Sequence, residues 1–171
     1  NQETQKEKYQ SCWRRGMNSY EKTGILSTKN LDFPSKKQLK NGVAIIECVQ
    51  EIPCNPCVDS CPTNAISMKD INAIPIVDYD ACIGCGNCVS VCPGLAIFVV
   101  KTNGDKALIT LPYEFLPVPK VNDNVEVLDR EGNKRGNGTI KKVIKKGKTI
   151  IITVEVEKSL AMDIRNIRVN I

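Results

Sequence analysis

Histidine is absent from this sequence of 171 residues, and several patterns that would point to catalysis are absent with it. Without an imidazole side chain, the chain has no histidine acid–base catalyst and no histidine metal ligand. No apolar run approaches the roughly 18 residues that a membrane-spanning helix needs, so no membrane span is expected. No G-x-G-x-x-G segment opens a strand–helix unit, so we expect no FAD or NAD site. The sequence therefore shows no catalytic site of its own.

Cysteine, by contrast, is abundant, and eight of the nine cysteines lie within residues 48–93. Residues 82–93 have the spacing C-x2-C-x2-C-x3-C-P. Such a run holds a 4Fe–4S cluster in bacterial ferredoxins, because a cubane has four iron corners that each bind a soft thiolate. Residues 54–62 repeat the run without its first cysteine. Glu51 stands at that position, and Cys48 lies three residues earlier.

The spacing also predicts how the cysteines are shared between two clusters. The first three cysteines of each run wrap one cluster, and the fourth begins a short helical turn that faces away from the loop. The fourth cysteine therefore binds the other cluster, and the proline after it prevents an upstream helix from running through. The predicted cofactors are two 4Fe–4S clusters. The predicted ligands are Cys48, Cys54, Cys57 and Cys92 for the first cluster, and Cys82, Cys85, Cys88 and Cys61 for the second.

The fourth ligand of the first cluster has three possible sources. Cys48 can reach the open iron through the loop of residues 49–53, or Glu51 can bind through its carboxylate from the usual position. Alternatively, the site holds three thiolates and a 3Fe–4S cluster. Because cluster iron prefers a soft thiolate to a carboxylate, the sequence favours Cys48.

Residues 42–101 resemble the two-cluster bacterial ferredoxin family. This resemblance implies a pseudo-symmetric pair of hairpins and short helices, and one-electron transfer between two clusters. The segments PCNPCVDSCPTNAI and CPGLAIFVV are also similar to small iron–sulfur subunits that accompany FAD-dependent amino-acid or amine dehydrogenases. That second resemblance implies a partner flavoprotein that takes two electrons from its substrate, and clusters in this chain that pass them on singly.

Two other uses of the cysteines fit the sequence less well. Two zinc sites would employ the same thiolates, but zinc sites usually consist of paired C-x2-C knuckles. A disulfide framework is disfavoured because cysteines at this spacing pair poorly. The first ten residues, NQETQKEKYQ, are too polar for a secretory signal. Cysteine clusters without such a signal are typical of a reducing compartment, so we expect a cytoplasmic location.

The N-terminal residues have a helical pattern. Tyr9, Cys12 and Trp13 lie on one face of a helix predicted over residues 2–15. We interpret Cys12, which stands apart from the other cysteines, as a small buried hydrophobe. The apolar face of this helix needs a surface to pack against, either in this chain or in a partner.

Short apolar runs with period two and turn signals dominate the rest of the chain, and residues 116–120 read as a stiff proline-containing linker. The sequence therefore predicts an α+β fold with a ferredoxin-type dicluster core. The three predicted parts are a helical extension over residues 1–41, a dicluster domain with an extra hairpin over residues 42–115, and a small all-β, SH3-like barrel over residues 120–171.

Charge is unevenly distributed, which leaves room for other functions. Residues 1–41 have nine basic and four acidic residues, residues 42–117 have three and eight, and residues 118–171 have twelve and seven. We interpret the chain as the iron–sulfur electron-transfer subunit of a larger redox complex. A freestanding electron carrier and a nucleic-acid-binding module are the two rival hypotheses. The module would use Lys141, Lys142, Lys145, Lys146 and Lys148. Because residues 118–171 contain no Phe, Tyr or Trp to stack on bases, we expect no nucleic-acid partner.

Overall fold

The computed structural model describes residues 19–147 and 149–169. The chain divides into two compact units, Asn1–Asp32 and Phe33–Ile171. The domain boundaries predicted after residues 41 and 115 stay predictions.

The described part of the first unit is short and helical. Helix α1 spans Ser19–Thr23, and a 3-10 helix spans Thr28–Asn30. The helix predicted over residues 2–15 lies outside the described residues, and so do Cys12 and Trp13.

The second unit begins with helix α2, which spans Lys36–Asn41 and has signals at both ends. At its start, the backbone N–H of Gln38 donates to the Ser35 hydroxyl, and the N–H of Ser35 donates to the side-chain oxygen of Gln38. This reciprocal pair satisfies two N–H groups that the first helical turn leaves without partners. Gly42, at φ 85°, ends the helix in a conformation that a residue with a side chain disfavours. The chain then turns directly into the first strand.

The other helices are also short, and the strands follow the period-two patterns of the sequence. Within the described ranges, no helix is both long enough and apolar enough to cross a membrane. The remaining elements are β1 (Val43–Ile46), α3 (Pro56–Asp59), β2 (Ile66–Ser67), β3 (Ile76–Val77), α4 (Asn87–Val91), β4 (Ile97–Asn103), β5 (Lys106–Tyr113), β6 (Asn124–Leu128), β7 (Lys134–Lys146), β8 (Thr149–Glu157), a second 3-10 helix (Lys158–Leu160) and β9 (Asn166–Arg168).

Seven of these strands form one antiparallel sheet in the order β1-β4-β5-β8-β7-β6-β9, and β2 and β3 form a separate two-stranded sheet. Strand β5 shows why the sheet has two different faces. Ala107, Ile109, Leu111 and Tyr113 are buried, and the residues between them are partly exposed. Successive side chains point to opposite sides of a strand. The side chains of β5 on one face of the sheet are therefore fully buried, and those on the other face are only partly covered.

The predicted fold class is wrong, because the described structure is mostly antiparallel sheet with a few short helices. The hairpin that the sequence assigns to the dicluster domain ends in β5, and β5 pairs with β8 from Lys106↔Glu157 to Tyr113↔Ile150. The C-terminal strands therefore continue the same sheet and do not close into a separate SH3-like barrel. Local periodicity could not show this, since it identifies strands but not the strands with which they pair.

Two hydrophobic cores lie against the large sheet. The larger one contains the buried row of β5 together with side chains from β1, β4, β6, β7, β8 and β9. The smaller one contains Ala44, Val99 and Ile151 from the sheet, and Cys57 and Cys88 from residues 48–96, which we call the cysteine-rich segment. The cysteine-rich segment therefore packs on one face of a sheet whose other face covers the main core.

Candidate metal centre

Two turns with the sequence Cys-Pro-x-x-Ala, over residues 61–65 and 92–96, have nearly the same local geometry. Asn64 has φ 53° and Leu95 has φ 52° at equivalent positions. Each donates its backbone N–H to the carbonyl oxygen of the cysteine three residues earlier, at 3.3 Å. A left-handed backbone is unfavourable for a residue as bulky as leucine, so the surrounding structure must hold this turn in place.

These turns direct backbone N–H groups at sulfur. The N–H of Ala65 donates to Cys61 Sγ at 3.2 Å, and the N–H of Ala96 donates to Cys92 Sγ at 3.4 Å. Such donors stabilise the thiolate, which is the form of cysteine that binds metal. The last cysteine of each run therefore accepts the same backbone hydrogen bond, from the alanine four residues later.

The four cysteines predicted for the second cluster come together in the structure. Cys61, Cys82, Cys85 and Cys88 all line one cavity with about 290 Å³ of empty space, part of which is open to solvent. The backbone N–H of Ala44 in β1 donates to Cys82 Sγ at 3.4 Å. Three cysteines of this group come from the second run and one comes from the first.

The four cysteines predicted for the first cluster are also close enough to influence one another. Burial raises the pKa of the Cys48 thiol, the backbone of Gln50 opposes the increase, and Cys92 and Cys54 add to it. Burial and the neighbouring Cys92 raise the pKa of Cys57 to about 11. Cys48 therefore lies with the other three cysteines, although its spacing is irregular.

The second group contains both the most strongly raised thiol and a lowered one. Burial raises the pKa of Cys88 to about 12, and Cys82 and Cys85 contribute to the increase. Burial also acts to raise the pKa of Cys61, but hydrogen bonds from the backbone and hydroxyl of Thr63 and from two later backbone groups outweigh it and lower the pKa. A metal bound here must displace protons from the buried thiols.

The two groups of cysteines are adjacent in the core. Cys57 and Cys88 are 7% and 6% exposed and belong to the same hydrophobic cluster, together with Val89 and Ile97. Cys57 also contributes to the raised pKa of Cys88. Metal centres held by the two groups would therefore be neighbours, with the buried Cys57 and Cys88 on the side where the groups meet.

The thiols are not arranged around a single point. Among the described residues, no group of three or more Cys, Asp or Glu side chains is close enough to hold one metal ion. Four thiolates on one zinc ion would each lie about 2.3 Å from it, so their sulfurs would nearly touch. In a cubane each thiolate binds a different iron, which suits more widely separated sulfurs. Four thiols around one cavity are the donor set that a cubane needs, one for each iron.

Gly84 fixes the loop of the second run against strand β1. Its φ is +61°, and a Cβ atom built on it would lie 2.6 Å from the carbonyl oxygen and 2.8 Å from the carbonyl carbon of Gly42. Both neighbours are backbone atoms, so they cannot move aside as a flexible side chain would. A glycine is required here for the loop that carries Cys82 and Cys85.

Sequence reasoning missed a buried ionic cluster next to Cys48. The carboxylate of Glu47 accepts hydrogen bonds from Arg130 Nη2 at 2.5 Å and from Arg165 Nε at 2.6 Å. The Arg165 guanidinium carbon also lies 4.8 Å from the centre of the Phe98 ring. Both arginines lie more than 80 residues after Glu47 in the chain, so only the fold brings the three side chains together.

The comparisons with known proteins agree with this geometry. Residues 47–96 match the family model described as a 4Fe-4S dicluster domain. All the cysteines described above lie within that range. No curated protein and no solved structure matches the chain. The family match supports a ferredoxin-like iron–sulfur domain that binds 4Fe–4S clusters and has an electron-transfer role.

Proposed function

We propose that this chain is the iron–sulfur electron-transfer subunit of a larger oxidoreductase, with two 4Fe–4S clusters that receive electrons from a partner flavoprotein dehydrogenase. The observation that carries the proposal is the arrangement of eight free cysteines in two adjacent groups. When bound, the clusters supply the capacity to accept and release single electrons.

Each group takes three cysteines from one run and one from the other. Cys61 is the member that crosses into the second group, and Cys92 is the member that crosses into the first. Backbone N–H donors hold these two sulfurs in place. The proposed ligands are Cys48, Cys54, Cys57 and Cys92 for the first cluster, and Cys61, Cys82, Cys85 and Cys88 for the second.

The surroundings of the two groups also suit electron transfer. Cys57 and Cys88 lie in the core between the groups, where low solvent access limits side reactions of reduced iron. Cys85, in contrast, is exposed. The second group therefore has one edge at the surface, where electrons can leave or enter.

Protein prepared without oxygen is expected to contain about eight iron and about eight sulfide per chain, because two cubanes require them. Iron and acid-labile sulfide are measured by colorimetric assay against quantitative amino-acid analysis. Cys12→Ser is the matched control, and it should retain the full content because Cys12 is not among the proposed ligands. Bound zinc with no sulfide would refute the proposed function.

Cys48→Ser is expected to lose one cluster or convert it to a three-iron cluster, while Glu51→Gln keeps both. The expectation rests on the position of Cys48, which is half-buried and lies near Cys54 and Cys92, whereas Glu51 is exposed. Iron content and the EPR signal of the oxidised protein distinguish the two variants, since an oxidised three-iron cluster is paramagnetic. The reverse pattern would assign the fourth ligand to Glu51.

The segment that links β5 to β6 has exposed apolar side chains, which supports a permanent partner. Phe115 and Leu116 are 60% and 85% exposed, and Val118 and Val121 extend the apolar surface. The segment is held in place, because Tyr113 Oη donates to the carbonyl oxygen of Pro117 at 3.1 Å and the Tyr113 ring contacts Phe115 edge-on. Exposed apolar surface of this kind is typical of an interface.

The partner is tested by anaerobic purification of the tagged chain from its own cells, followed by gel filtration and flavin analysis. A large, flavin-containing complex supports the subunit function. A brown protein of monomer size without flavin supports a freestanding electron carrier. The variant Leu116→Ser/Val121→Ser should weaken the complex and leave the iron content unchanged.

A further inference from the structure

Two lysines of β7 lie on the face of the sheet that the cysteine-rich segment covers. Ile144 pairs with Ile151, and Ile151 packs in the same core as Cys57 and Cys88. Lys142 and Lys146 stand two residues to either side of Ile144. Because side chains two apart on a strand share a face, both lysines project on the side of the cysteine-rich segment.

Lys146 contacts the cluster-binding loop directly. Its Nζ donates to Asn87 Oδ1 at 2.8 Å, and Asn87 lies between Cys85 and Cys88 in the second run. Helix α4, which begins at Asn87, packs against β4, β5 and β8. Strand β7 is the next strand of the sheet, and its Lys146 borders the start of the helix.

Lys142 is connected to the same loop through cross-strand neighbours on β8 and β5. It pairs with Thr153, and the Thr153 hydroxyl is 2.8 Å from the hydroxyl of Thr110. A Cβ atom built on Gly86 would meet the Thr110 methyl group at 3.9 Å. With strands about 4.8 Å apart, Lys142 is about 10 Å across the sheet from Thr110. That distance is about one Debye length at 0.1 M salt, so the Lys142 charge is only partly screened at Thr110 below that salt concentration.

These charges are available to a partner. Lys141, at the bulge of β7, is already paired with Glu155 at 3.1 Å. Within residues 19–147 and 149–169, Lys142 and Lys146 form no ion pair. Both are exposed, and so is the adjacent Lys145.

The same surface has an apolar and reactive centre. Ile83 is 60% exposed, and Cys85 is exposed in the same loop, where both line the cavity of the second cysteine group. A cluster held there would have its surface edge beside Ile83, with positive charge along one side. Apolar contact in the middle and charge at the rim is the usual composition of a transient protein interface.

We propose that Lys142, Lys146, Ile83 and Cys85 form the docking surface for an acidic redox protein that exchanges electrons with the second cysteine group. The inference rests on the proposed electron-transfer function and adds the site and the charge of one partner. A nucleic acid fits less well, because residues 118–171 contain no aromatic side chain for base stacking. Steering by opposite charge speeds encounter without requiring a large interface.

The test uses the full chain, accepted only when iron and sulfide analysis shows two clusters, so that failure of the proposed function is recognised separately. An acidic flavodoxin and a basic cytochrome c serve as probes. Dissociation constants are measured by calorimetry, and rates by stopped-flow after reduction with dithionite, at ionic strengths from about 20 mM to about 300 mM. In the flavodoxin reaction the iron–sulfur protein loses one electron, and the FMN gains that electron with a proton from water.

The parent protein is expected to bind flavodoxin more tightly than cytochrome c, with affinity and rate both falling as salt increases. Lys142→Glu/Lys146→Glu should lower both about tenfold at low ionic strength and flatten the salt dependence. Lys142→Gln/Lys146→Gln should have an intermediate effect. Lys146→Gln retains a side-chain N–H donor for Asn87, so this second variant separates the effect of the charge from the support of the loop.

Lys120→Glu/Lys158→Glu is the matched control. Both lysines are exposed, lie outside this surface and produce the same change in net charge. The control should keep nearly the parent affinity. An equal loss in the control, or a parent that shows no salt dependence, would overturn the proposal. Retention on single-stranded DNA or RNA that only the 142/146 variants lose, with flavodoxin binding unchanged, would assign the surface to nucleic acid instead.

Discussion

Glu47→Gln is expected to lower the thermal unfolding midpoint by roughly 6–12 °C, which corresponds to about 3 kcal/mol for a chain of this size. The Glu47 side chain is 8% exposed and that of Arg165 is 5% exposed. Removing the carboxylate leaves two buried guanidinium groups near each other without a counter-charge. Breaking one partner of a buried pair is costly for this reason, even where forming the pair gives little net stability.

The burial of Arg165 makes it the most sensitive member of the cluster. Burial lowers its pKa from the usual arginine value, and the charge of Glu47 acts in the opposite direction. Its Nη2 atom already has no hydrogen-bond partner among the described residues. The loss of Glu47 would add to this deficit, because Nε would then face a neutral amide in place of a carboxylate.

Glu126→Gln is the matched control, since Glu126 also pairs with two basic side chains, Lys134 and Arg168. Those two side chains are largely exposed, so water replaces the lost contacts and the midpoint should change little. Unfolding is followed by circular dichroism without oxygen, at one scan rate for all variants so that the midpoints can be compared. Equal shifts in the two variants would show that burial of the Glu47 cluster has no special role.

Gly84→Ala is expected to abolish one cluster and to lower the iron content from about eight to about four per chain. The added methyl group would lie 2.6 Å from the Gly42 carbonyl oxygen, in a backbone conformation of φ +61° that alanine disfavours. The loop must therefore move away from β1, and Cys82 and Cys85 move with it. The hydrogen bond from the Ala44 N–H to Cys82 Sγ would be lost at the same time.

Gly94→Ala is the control for the added methyl group. Gly94 lies in the same cysteine-rich segment, has no left-handed φ, and a Cβ atom there meets nothing within 4 Å. This variant should keep about eight iron. Iron, sulfide and visible absorbance are measured on both variants after identical anaerobic preparation. A full iron content in Gly84→Ala would show that the loop tolerates displacement and that the glycine contact does not position the ligands.

The sequence by itself determined the local chemistry of the centre. The spacing of the cysteines predicts two groups of four, because three thiols in one tight loop and one thiol on the following turn depend only on nearby residues. The structure brings Cys61 to the second run, and the match over residues 47–96 supports a 4Fe–4S dicluster domain. Whether each cysteine is a ligand, Cys48 above all, stays a prediction until the iron measurements are made.

Only the tertiary structure decided how the rest of the chain surrounds that centre. The strands were visible in the sequence, but the pairing of β5 with β8 was not, so the predicted fold class was wrong. The meeting of Glu47 with Arg130 and Arg165, and of Lys146 with Asn87, was equally hidden. Ligand spacing is a property of one short loop. Strand pairing and buried ion pairs join residues far apart in the chain, and they depend on which apolar faces cover one another in the folded protein.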